Sequence, residues 1–150
     1  MRKPIAVATV ATVALVAPAI SAVKAATGHV VQIALRDSST DPAISGMQMK
    51  AEPSTVKAGR ITLEAINQSK DLVHEVLVIP APADENKLPY DPKTNTIVEK
   101  RAHSRGEASD LKPGARGRIT LSLKPGTYLL VCNEPGHYRS GMFTKLVVEK

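Results

Sequence analysis

The side chains with the most chemistry in them lie together in residues 128–142, YLLVCNEPGHYRSGM. This run holds a thiol at Cys132, an imidazole at His137 and a thioether at Met142, in a loop punctuated by Pro135, Gly136 and Gly141. The spacing is Cys-x4-His-x4-Met. Soft sulfur donors combined with imidazole favour copper, and one Cys, two His and a weak axial Met form the donor set of a blue-copper electron-transfer site. Such a site needs a second imidazole from elsewhere in the chain, and His74 is the best candidate. Cys132 is the single cysteine, which excludes both an internal disulfide and a thiolate-bridged binuclear copper centre.

The elements that must position these groups read as short strands. Residues 30–35, 47–50, 60–67, 72–79, 118–123, 127–132 and 145–149 are β-prone or alternate apolar with polar, and turn signals such as Pro113-Gly114 and Lys124-Pro125-Gly126 separate several of them. Period-two alternation puts His74 on the face of Val76 and Val78, and Cys132 on the face of Tyr128 and Leu130. Residues 80–111 differ in kind. Pro80, Pro82, Pro89 and Pro92 argue against a regular strand or long helix there, with room only for a short edge strand at Ile97-Val98 and a helical turn over 99–105. Roughly seven or eight short strands and no ordinary helix predict an all-β, Greek-key β-sandwich. With no Trp and one Phe, its core must be built from Val, Leu, Ile and Ala.

Residues 1–25 read as a signal peptide: Arg2 and Lys3, then an uncharged apolar run, then small residues fit for cleavage after Ala25. The folded domain is then 26–150, and the protein is exported, periplasmic or otherwise extracytoplasmic. Cleavage after Ala26 is a poorer fit because it puts Lys24 at the third position back. It would expose Thr27-Gly28-His29 as a planar Cu(II) chelate. An uncleaved anchor, which would be the one route to the membrane, is disfavoured by the short apolar run and by Pro18. Removal of residues 1–25 takes away Arg2, Lys3 and Lys24 and lowers the formal charge from +6 to +3. With so few aromatics and no basic stripe, nucleic acid is not an expected partner. The remaining charge suits solubility or weak steering toward an acidic partner.

The 128–142 run, the KPGTY turn before it and the upstream NQSKDLVHEVLV resemble the cupredoxins, small blue-copper proteins, over roughly residues 30–150. The loop is similar to that of the longer-loop members. The resemblance implies one type 1 copper, with His74, Cys132 and His137 as equatorial ligands and Met142 as the axial one. It also implies a backbone N–H donor to the cysteine sulfur from Glu75, where many members carry Asn. By the same resemblance His137 is the electron port, and redox proteins are the partners of a monomeric carrier.

Competing readings attach to other residues. His103, among Lys100, Arg101 and Arg105, reads as a solvated face, or less readily as a docking patch. Met47 and Met49 read as core, with an auxiliary Cu(I) site in a storage, delivery or resistance module as the alternative function. Catalysis finds little support: there is no second histidine cluster, no Ser-His-Asp set and no phosphate loop, and a Cys132–His137 nucleophile pair would leave Met142 without a role.

Overall fold

The computed structural model describes residues 28–37, 46–84 and 87–150, so the expected signal segment, residues 1–25, lies outside the described residues. Among the described residues, eleven strands follow one another: β1 (His29–Arg36), β2 (Gln48–Glu52), β3 (Thr55–Lys57), β4 (Gly59–Asn67), β5 (His74–Pro80), β6 (Tyr90–Asp91), β7 (Thr96–Ile97), β8 (Gly106–Leu111), β9 (Arg116–Leu123), β10 (Gly126–Val131) and β11 (Phe143–Glu149). Nine of them make two mixed sheets, ordered β2-β1-β4-β9 and β3-β11-β10-β5-β8, while β6 and β7 form a separate ribbon. The β-sandwich is as expected, but the count of seven or eight strands was too low. The tally missed β3, which is three residues long, and β6 and β8, which lie inside the proline-rich connection.

Alternation explains the layering. Val31, Ile33 and Leu35 of β1 and Ile61, Leu63 and Ala65 of β4 face inward against Val76 and Val78 of β5 and Leu130 of β10, in one buried cluster. Each such Leu, Ile or Val contributes about 1.5–3 kcal/mol by leaving water. The opposite faces of β5 and β10 are also apolar. Leu77, Ile79, Leu129 and Val131 form a second buried cluster with Ile97 and Ala102. The connection between β5 and β8 therefore lies as a strap across the outer face of the five-stranded sheet. The turn expected over 99–105 is present there, with Ala102 N–H donating to Val98 C=O at 3.0 Å and Ser104 N–H to Glu99 C=O at 3.1 Å.

Three segments converge at one end of the sandwich. They are the end of β1, the start of β5, and the loop from β10 to β11.

Candidate metal centre

Cys132 follows the last residue of β10 and continues its inward alternation, so its side chain enters the core with no exposure. Its N–H donates to Met142 C=O at 3.0 Å, which closes the base of the loop. Within the loop His137 N–H donates to Glu134 C=O at 3.0 Å and Met142 N–H to His137 C=O at 3.1 Å. Gly136 and Gly141, at φ 85° and 92°, supply the left-handed residues that so tight a return requires. His74 opens β5 and is fully buried, as is Met142, while His137 is half-buried and reaches the surface.

These placements bring three donors together. His74 Nδ1 and His137 Nδ1 are 3.2 Å apart, and Cys132 Sγ lies 3.8 Å from the first and 3.3 Å from the second. The circle through the corners of that triangle has a radius of roughly 2.0 Å, close to a first-row metal–imidazole bond length. One thiol and two imidazoles thus fit a small transition-metal ion. Met142 shares the buried cluster with Cys132, and the backbone bonds above tie it to both Cys132 and His137.

Electrostatics in the site favour neutral donors. Burial lowers His74 from 6.5 to about 4, with the nearby His137 adding to the effect and Asp37 opposing it. Burial likewise lowers His137, against the charges of Glu134 and Asp37. Burial pushes the Cys132 thiol up to about 12, although backbone N–H groups of Glu134 and Glu75 bond to its sulfur and pull the other way. Two N–H donors aimed at one sulfur suit a thiolate, which a metal would create by displacing the proton.

The other sequence candidates stand apart from this group. His103 is exposed, in the strap's turn at φ 55°. His29 begins β1, in register with Ile61 of β4. Met49 is buried in the core and Met47 packs against it.

Four features escaped the sequence reading. Behind His74, Ser69 Oγ lies 2.6 Å from Nε2 and Asp37 Oδ2 lies 3.8 Å from it. Asn67 shapes that turn, donating from Nδ2 to Leu72 C=O and Leu111 C=O at 2.8 and 2.7 Å and accepting from Ser69 N–H at 2.9 Å. Asn133 clasps the strap: it accepts from Ile97 N–H at 2.6 Å and donates to Ile97 C=O at 3.0 Å and Glu99 Oε1 at 3.1 Å. Glu75, Glu99 and Glu107 bring one carboxylate oxygen each within 4.8 Å of one another, and burial, with Glu107 next, raises Glu75 to about 7. Beside the site, then, lies a small cluster of carboxyl groups. Polarity alone would have flagged Asn67 and Asn133, as amides within apolar runs, but not their partners.

No protein-family model matches the chain, and no curated protein sequence does. Solved structures do. Reduced auracyanin from the photosynthetic bacterium Roseiflexus castenholzii is similar with a TM-score of 0.59 at 22% identity, over 84% of this chain and 99% of that one. Rusticyanin from Thiobacillus ferrooxidans gives a TM-score of 0.61 at 18% identity, over 83% of this chain and 79% of that one. At such identities the likeness establishes the fold, which is that of the cupredoxins.

Proposed function

We propose that this chain is a cupredoxin in function as well as fold: an exported, single-copper electron carrier with His74, Cys132, His137 and Met142 as its ligands. The observation that carries this reading is the triangle of two Nδ1 atoms and one Sγ, with edges of 3.2, 3.3 and 3.8 Å, together with a fully buried Met142 whose backbone is bonded to Cys132 and His137. Rusticyanin is described as a copper protein, and its solved variants include changes at a histidine and a methionine five positions apart, the separation of His137 and Met142 here.

Bound copper would supply one-electron exchange between Cu(I) and Cu(II). The protein's part is to hold the donors still. Cys132 is fixed at a strand end by the bond from its N–H to Met142 C=O. His74 is held from behind by Ser69, and Asn133 anchors the loop to the strap. A site held on several sides resists rearrangement when charge changes, which favours electron transfer. His137, half-buried where the other three candidates are buried, is the route by which an electron reaches a partner protein. Burial of three of four ligands opposes ready hand-off of the ion, so a carrier fits better than a delivery module. Export rests on residues 1–25 alone.

The test is a visible spectrum of the mature protein titrated with Cu(II), alongside Cys132→Ser. An intense sulfur-to-copper charge-transfer band at one copper per chain, absent from the variant, is the expected result. Colourless binding, or none, refutes the carrier.

A further inference from the structure

Building on the copper reading, we propose that Asp37 and Ser69 act as positioning residues for His74, fixing its tautomer and favouring the oxidised metal. Nδ1 of His74 is the atom in the donor triangle, and Nε2 is on the other side of the ring. That far nitrogen faces Ser69 Oγ at 2.6 Å and Asp37 Oδ2 at 3.8 Å. His74, Asp37 and Ser69 are 0, 2 and 4% exposed, so water does not compete for these contacts.

A neutral imidazole carries one proton on one of two nitrogens, and the acceptor beside each nitrogen decides which. Here a hydroxyl oxygen and a carboxylate lie beside Nε2, so the proton sits there and Nδ1 keeps its lone pair for a metal. The surrounding structure holds both acceptors in place. Gln68 N–H donates to Leu35 C=O at 2.8 Å, bringing the turn alongside the end of β1, next to Asp37. Asn67 then fixes Ser69 through the bond from Ser69 N–H.

The carboxylate also acts through charge. A hydrogen-bonding partner behind a ligating histidine raises its donor strength, and losing one typically weakens metal binding by about 10–100-fold. A buried negative charge on this side stabilises the more positive ion more. Cu(II) therefore gains over Cu(I), and the reduction potential falls.

Three measurements test this. In the metal-free protein, two-dimensional 1H–15N NMR of the histidine rings should show His74 as the single Nε2–H tautomer. An Asp37→Asn, Ser69→Ala double variant should show a growing Nδ1–H population. A wild-type His74 protonated on Nδ1 overturns the proposal without any variant having to fold. In the copper-loaded protein, Asp37→Asn should weaken Cu(II) about tenfold with Cu(I) binding unchanged, a rise of about 59 mV for a one-electron couple. An unchanged potential with an intact charge-transfer band overturns the electrostatic part. If wild type gives no such band, it is the blue-copper reading that fails. The histidine tautomer and a Zn(II) competition assay then decide this proposal alone, an unchanged Zn(II) affinity in Asp37→Asn counting against it.

Discussion

Replacing Asn133 tests whether the strap braces the candidate site. Ile97 is 2% exposed, and both its N–H and its C=O find their partner in the Asn133 side chain, at 2.6 and 3.0 Å. Asn133→Ala leaves both groups buried without that partner. At about 1–3 kcal/mol for each, less what local relaxation recovers, the expected loss is about 3 kcal/mol. For a domain of this size that lowers Tm by roughly 10 °C. Asn133→Asp separates hydrogen bonding from volume, because it keeps the shape and the acceptor for Ile97 N–H. An oxygen then replaces Nδ2, facing Ile97 C=O at 3.0 Å and the Glu99 carboxylate at 3.1 Å. It should therefore destabilise at least as much as alanine at pH 7, whereas Glu99→Ala should cost less than about 1 kcal/mol. Thermal and urea unfolding of the metal-free variants provide the values. An Asn133→Asp protein within 1 kcal/mol of wild type would refute the clasp.

Gly117→Ala should destabilise by about 1–3 kcal/mol, since its Cβ would lie 2.6 Å from Leu111 Cδ2 and 3.2 Å from Ala108 Cβ, and urea unfolding checks it. His74, whose pKa is depressed by burial from 6.5 to about 4, makes metal-free stability pH-dependent. Its unfolded form takes up a proton first, so its contribution is intact above pH 6.5 and is lost as pH falls toward 4, approaching roughly 3 kcal/mol. Glu75, raised by burial to about 7, tilts the curve oppositely in an overlapping range and His137, also lowered by burial, tilts it the same way, so the comparison is with His74→Asn, which should flatten the curve between pH 6.5 and 4. Copper at a hundredfold excess over its dissociation constant should stabilise the fold by about 2.7 kcal/mol, reversed by a chelator, and an unmoved Tm on saturation would contradict binding to the folded state.

Much of the sandwich was legible because period two is a steric fact. Ile61, Leu63 and Ala65 point inward, at alternate positions of the 60–67 run, as do Tyr128, Leu130 and Cys132. Alternation was misleading where both faces are covered. The runs Val76–Ile79 and Leu129–Val131 are apolar throughout, a sign of burial on both sides that alternation alone does not convey. β8, with sequence GEASDL, is a polar edge strand with an irregular register against β5, and gives little periodic signal. The ligand candidates could be found because three lie within one loop. Asp37 could not: its link to His74 exists only through the register of β1 against β4 and the turn that follows.

The cage joins the end of β1, the start of β5 and the loop into β11, with His74 and Cys132 58 positions apart. β11, the last strand, inserts between β3 and β10. The ordering of assembly follows. A nascent chain that has not yet docked its last strand offers only a loose Cys-His-Met tract, with His74 elsewhere. Small metal domains borrow their folding energy from the ion, but this one closes on its apolar core through long-range pairings, which form slowly. On the copper reading, the ion would enter a cage whose donors the fold has already gathered, and the metal-free chain should fold without it.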